Sequence, residues 1–226
     1  MKIVIIIPAR MGSKRLQGKI LKKINNYPLL WILIKRLKKV KSIKKIVVST
    51  TKNKIDDKII QFCKKNKISY YRGSTNNVAE RVCETALKFN ADAFIRINGD
   101  SPLIDYRIIN KLINIFKKKK PDLVTNIFPR SFPVGQSVEI VNQKTLSENL
   151  SNLTKKAYKE HITKYFYMNS KKFKIVNFKN SKNYSNKKLA IDTQEDFERL
   201  KNIKISNENL LNINMVSLLK LTYEKI

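Results

Sequence analysis

Ile3-Val4-Ile5-Ile6-Ile7-Pro8-Ala9-Arg10-Met11-Gly12-Ser13-Lys14-Arg15-Leu16-Gln17-Gly18-Lys19 is the stretch around which the chain is organised. Its first five residues are β-branched and uninterrupted. They predict a strand buried on both faces, as in a parallel sheet. Pro8 cannot donate to a ladder and ends the strand. The loop that follows carries Gly12, Ser13 and Gly18 among four cations, Arg10, Lys14, Arg15 and Lys19. Glycine lets backbone approach a ligand closely. A hydroxyl, backbone N–H groups and cations together suit an oligophosphate. Open α/β sheets bind ligands at the carboxyl ends of their strands, where this loop would lie. A basic surface turn would have the same spacing, and neither GxGxxG nor GxxxxGK[ST] is present.

Working outward, the alternation of strand and helix continues. Strands are predicted at Ile46–Thr50, Ile68–Tyr71, Ala93–Ile97 and Asp122–Ile127. Helices are predicted from Tyr27 to about Lys39, with Pro28 in the first turn, then at Ile55–Lys65, Asn77–Phe89 and Tyr106–Lys119. This order predicts an α/β fold: a doubly wound, mostly parallel, Rossmann-like sheet with right-handed crossovers. Beyond a proline-bounded loop at Phe128–Gly135 the regularity breaks. Ser137–Val141 alternates like a strand, 144–169 has helical pattern, and Phe173–Phe178 alternates again. Leu189-Ala190-Ile191 reads as a final strand into Asp192. Thr193 followed by Asp196 resembles a capping box. The tail, Leu210–Tyr223, is predicted helical. Nothing marks a linker or repeat, so 1–226 reads as one domain with an insertion at about 130–185.

The chain has 226 residues, 42% of them hydrophobic, enough for a sizeable core. No apolar run approaches the ~18 residues of a membrane span, and the first is too short for a signal peptide. Cys63 and Cys83 lack metal or redox spacing and read as buried thiols. A cytoplasmic protein is expected. The formal net charge is +31. Such a balance can signal nucleic acid, membrane surface or acidic substrates. The lysines are scattered over helix faces and ends, however, so no specific nucleic acid and no membrane partner is expected.

Two carboxylates share the predicted edge of the first loop. Asp100 follows a buried strand in Phe94-Ile95-Arg96-Ile97-Asn98-Gly99-Asp100-Ser101-Pro102-Leu103-Ile104. Asp192 stands between the last strand and a helix in Leu189-Ala190-Ile191-Asp192-Thr193-Gln194-Glu195-Asp196-Phe197. Either could be a turn or helix-cap aspartate. Brought together, they would repel unless a cation joined them.

These three stretches resemble the motifs of the sugar-activating cytidylyltransferases, the acylneuraminate and 3-deoxy-manno-octulosonate enzymes, and most of all their spore-coat polysaccharide branch. The family pattern is a buried strand, P-A-R, then G-S or A-S, K/T-R and a later lysine. The chain keeps these and has Gln17 where proline is usual. The G-D-x-P-L-I and V-D-T-x-E-D stretches match at Asp100 and Asp192. The resemblance covers nearly the whole chain. It implies a sheet of the nucleotide-diphospho-sugar transferase type with a small dimerisation and sugar-binding insertion, and a homodimer built through the segment after Val134.

The resemblance also implies roles. Pro8, Ala9, Arg10, Gly12, Ser13, Lys14, Arg15 and Lys19 would cradle the nucleotide, with Arg72, Asn77, Val78 and Arg81 as its reading segment. Asp100 and Asp192 would hold catalytic Mg²⁺, an ion that takes few protein ligands and shares phosphates. Arg10, Lys19 and Asp100 would carry catalysis. Gln136, Glu139 and His161, the only histidine, would face the sugar. Glu139 could equally be on a solvated strand face, Arg81 an exposed helix charge and His161 a packed side chain. The expected reaction is transfer of CMP from CTP to a sugar, with pyrophosphate released, for surface polysaccharide biosynthesis. Another nucleotide or a non-acidic polyol acceptor is the near alternative, and a polyanion-binding protein the distant one. A glycosyltransferase is disfavoured, because Asp56-Asp57 falls in a predicted helix and no D-x-D is present.

Overall fold

In the computed structural model, which describes residues 1–223, the first apolar run forms β1 (Ile3–Pro8) at the centre of the main sheet. Its Ile3, Ile5 and Ile7 join the core on one face, and Val4 and Ile6 the core on the other. After β1 come β2 (Lys23–Ile24), β3 (Tyr27–Pro28), α1 (Leu29–Leu37), β4 (Ile46–Thr51), α2 (Asp57–Lys65) and β5 (Ser69–Gly73). Then follow α3 (Val78–Lys88), β6 (Ala93–Arg96), α4 (Tyr106–Lys119), β7 (Leu123–Thr125) and β8 (Glu139–Asn142). The rest is α5 (Gln143–Asn149), α6 (Lys156–Glu160), α7 (Ile162–Met168), β9 (Ile175–Asn177), α8 (Gln194–Lys201), α9 (Asn207–Asn212) and α10 (Met215–Tyr223).

The seven-stranded sheet has the order β5-β4-β1-β6-β8-β7-β9. All neighbours pair in parallel except β8, which runs antiparallel to both β6 and β7. The chain winds from β1 through β4 to β5, then returns to the other side of β1 with β6. The β1–β6 boundary is thus the topological switch point, where open sheets hold ligands. Helices α1, α4 and α8 cover one face, and α3, α5 and α7 the other. Arg36, fully buried on α1, ties down the tail by donating to the carbonyls of Ile104, Leu210 and Ile213 at 2.7–2.8 Å. Burial lowers its pKa to about 10.

The predicted elements differ from the structure at four places, one of them the tail, where the helix predicted over Leu210–Tyr223 is divided between α9 and α10. Pro28 precedes α1, at the end of a β2–β3 hairpin that periodicity did not reveal. Asn25 and Asn26, at φ 48° and 67°, make its left-handed turn. The helical pattern at 144–169 is three helices, interrupted around Asn149, Ser151 and Asn152, which are weak helix formers. Leu189–Ile191 is not a strand. It is an extended return segment whose Leu189 and Ala190 N–H groups donate to Val134 O, and whose Ile191 N–H donates to Asp100 O at 2.8 Å. Gly135 allows that close approach. It sits at φ 99°, and a Cβ there would lie 2.4 Å from Ala190 N. The capping box at Thr193 and Asp196 forms as predicted and starts α8.

Candidate active site

A cavity of about 350 Å³ opens at the switch point. Its floor is the end of β1 and the loop after it: Pro8, Ala9, Arg10, Ser13, Lys14, Arg15 and Lys19 all line it. The loop is anchored by a buried carboxylate. Asp56 accepts from Met11 N–H at 2.6 Å and from the Thr51 hydroxyl at the end of β4. Gly18, at φ 65°, turns the chain into the short 3-10 helix that begins with Lys19. A side chain at Gly12 would meet nothing within 4 Å, so no packing demands glycine there and its backbone lies open.

The loop after β6 brings Asn98, Gly99 and Asp100 to the same cavity. A Cβ at Gly99 would come within 2.6 Å of the tip of the Ile20 side chain, which would have to shift. The return segment brings Asp192. Lys19 Nζ lies between the two carboxylates, 3.0 Å from Asp192 Oδ1 and 3.6 Å from Asp100 Oδ2, and donates to Ile191 O at 2.9 Å. The repulsion expected between Asp100 and Asp192 is therefore relieved by this chain's own cation. Burial raises the Asp192 pKa. The Lys19 hydrogen bond and the charges of Lys19, Lys188 and Arg15 outweigh it and hold the carboxyl below the usual range. Asp196 is not on the cavity wall; it caps α8, accepts from Asp192 N–H at 2.9 Å and pairs with Lys188 and Arg199.

No group of three or more His, Cys, Asp or Glu side chains suited to a metal occurs among the described residues. The pair of hard carboxylate oxygens nevertheless fits a small divalent cation. One cationic nitrogen already reaches both, and Mg²⁺ needs few protein ligands when phosphates supply the rest.

The remaining candidates divide. Val78, Arg81 and His161 line the cavity. Arg81 is buried, with its Nε unpartnered; burial and then the charge of Arg10 lower its pKa. Asn77 caps α3, accepting from Glu80 N–H at 3.1 Å, and is not on the cavity wall. Arg72 is not there either. Its guanidinium is spent on Asp57 at 2.7 Å and on the Thr51 and Asn53 carbonyls. Gln136 is fully buried; its amide accepts from Asp105 N–H and donates to Leu103 O, which fixes the loop before α4. Glu139 is buried rather than sugar-facing, because its carboxylate is filled by Arg96, Thr163 and Tyr167, each at 2.6 Å.

Five cavity residues carried no assignment from sequence: Ile20, Arg96, Asn98, Gly99 and Glu160. Arg96 did leave a signal, a cation inside the apolar run of β6. Glu160, at the end of α6, meets Arg10 at 2.9 Å across the cavity. That pairing is invisible to local pattern because the partners are 150 residues apart.

A family model described as cytidylyltransferase matches residues 4–224. A protein of unassigned activity from Methanocaldococcus jannaschii is 34% identical over 88% of this chain and 81% of its own. The spore coat polysaccharide biosynthesis protein SpsF of Bacillus subtilis is 28% identical over 88% of this chain and 85% of its own. A cytidylyltransferase structure from Leptospira borgpetersenii superposes with a TM-score of 0.91 at 34% identity, covering 100% of this chain and 99% of that one. No helix among the described residues is long and apolar enough to cross a membrane.

Proposed function

This chain belongs to the cytidylyltransferase family, and we propose that it transfers CMP from CTP to a hydroxyl of an acidic nonulosonate or octulosonate sugar, releasing pyrophosphate, for surface polysaccharide biosynthesis. The observation that carries this reading is the cavity in which a basic loop faces two convergent carboxylates at the switch point. A 3-deoxy-manno-octulosonate cytidylyltransferase of Fusobacterium nucleatum, 38% identical over 53% of this chain and 48% of its own, supports the acceptor class.

In this mechanism the acceptor oxygen attacks the α-phosphorus in line, and the bond to the β-phosphate oxygen breaks. Its proton passes to water. Lys14 and Arg15, which line the cavity from exposed positions, hold the triphosphate and stabilise the pyrophosphate as its charge grows. Arg10 joins them on leaving Glu160. Asp100 and Asp192 would hold Mg²⁺, which supplies charge neutralisation and orients the phosphates when bound. Positioning and electrostatics carry such a transfer, so no nucleophilic side chain is required. The same reading includes a homodimer, which sedimentation equilibrium would test.

Pyrophosphate release with each nucleotide against a panel of acidic sugars tests the proposal. Release with CTP and at least one acidic sugar is expected; release only with another nucleotide, or only with polyols, removes it. In a thermal scan with Mg²⁺, CTP should raise the melting temperature well above the effect of ATP or GTP, because Val78 and Arg81, from the segment that resembles a pyrimidine reader, line the cavity. Equal shifts for all nucleotides would remove the cytosine preference.

The charge of the chain leads to a separate expectation. Its lysines are scattered, so RNA binding should be weak and should collapse with salt as counterions are retained. Tight binding to one RNA at physiological salt would revive the polyanion-binding alternative.

A further inference from the structure

Lys19 occupies the position where a shared cation would be most useful. Its Nζ touches Asp192, approaches Asp100 and donates to the Ile191 carbonyl, all within 3.6 Å. Its side chain is largely buried, 16% exposed. The ammonium thus neutralises part of the acidic pair and holds the β6 loop and the return segment together. A divalent cation arriving at the same two carboxylates would meet a positive charge within contact distance. It can bind well only if Lys19 leaves. The lysine stem is flexible, its head can rotate to new acceptors, and it stands at the end of the phosphate-facing loop. A polyanionic triphosphate on Lys14 and Arg15 gives the ammonium somewhere to go.

We propose that Lys19 is a positioning residue that stands in for the divalent cation in the nucleotide-free protein and is drawn off by the triphosphate, so that cation loading is coupled to nucleotide binding. This rests on the reading of the cavity as a nucleotide and divalent-cation site. By linkage, the factor by which nucleotide tightens cation binding is the factor by which cation tightens nucleotide binding. The arrangement keeps the carboxylates preorganised without a metal and disfavours cation binding in the absence of substrate.

The test uses Mn²⁺ alone, with no nucleotide or sugar, so failure of the CTP or acceptor assignment leaves it readable. Mn²⁺ binding is followed by the loss of its free-ion electron paramagnetic resonance signal. Lys19→Met should bind Mn²⁺ about tenfold or more tightly than wild type, the size of a typical coupling between sites. Lys19→Arg, which keeps the charge, should remain near wild type. In thermal scans Lys19→Met should melt below wild type without cation, because Asp100 and Asp192 then lose the one cation that reaches both, and only Asp192 keeps others, Arg15 and Lys188. Mn²⁺ should raise its melting temperature by more than it raises that of wild type. If Lys19→Met folds poorly, Lys19→Gln, polar and of similar length, serves in the same titration. Mn²⁺ affinity in the neutral variants equal to or weaker than wild type, or no Mn²⁺ binding to any of them, overturns the proposal.

Discussion

Asp100→Asn and Asp192→Asn should each lower kcat by about a hundredfold or more, the typical cost of removing one preorganised electrostatic group. The two residues arrive from opposite ends of the fold, one after β6 and one before α8, yet both lie against Lys19 Nζ. Such convergence is costly unless the pair holds something in common. Asparagine keeps the shape and loses the charge, so a shared cation would lose half of its protein ligation. Folding should be spared. With one carboxylate neutralised, Lys19 still has the other, and Ile191 N–H still donates to the Asp100 backbone carbonyl. The unliganded melting temperature should therefore change little, because the repulsion between the two carboxylates is already screened by Lys19. Because both substitutions disable one ion, the double variant should lose far less than the product of the two single losses. Asp196→Asn is the control, because its carboxylate caps α8 and pairs with Lys188 and Arg199. Steady-state kinetics at saturating Mg²⁺ check the set, and near wild-type turnover in either single variant would sink the assignment.

What could be read from sequence follows from how local each signal was. β1 was legible because five β-branched residues in a row suit only a strand covered on both faces, and both cores do cover it. The loop after it was legible for the same reason, since a strand end fixes where the next residues go. Helix α4 was legible in its apolar period and the start of α8 in the short-range capping chemistry of Thr193 and Asp196, whereas the Asp105 cap of α4 appears only in the structure. The reversal of β8 was not legible, because period-two alternation carries no direction. Arg72 and Gln136 were assigned to ligands by position along the chain, but each is spent on groups from other elements. Asp56 shows the converse. It looked like an ordinary helical residue, and its role of tethering Met11 depends on a contact 45 residues away.

Glu139→Ala should cost about 3–5 kcal/mol of stability, the range for removing one partner of a buried ion pair. Arg96 and Glu139 are directly opposite in the β6–β8 register, and their side chains are 12% and 3% exposed. The carboxylate also accepts from Thr163 and Tyr167, which ties α7 to the sheet. Burial, and then the charge of Glu139, push the Tyr167 hydroxyl far above its usual pKa, so it stays protonated as a donor. Alanine would leave a guanidinium in a mostly dry wall with no counter-charge, and its Nε is already without a partner. Two hydroxyls would lose their acceptor as well. Most of the loss belongs to the stranded charge rather than to the bond itself. The paired change Arg96→Met with Glu139→Leu should therefore recover much of it, since a buried ion pair is often replaceable by apolar groups of similar volume. Urea unfolding reads the difference as a shift in midpoint at constant slope. A loss below ~1 kcal/mol for Glu139→Ala, within the range of an exposed pair, would mean that water reaches the pair and that this wall of the cavity is wetter than its burial implies.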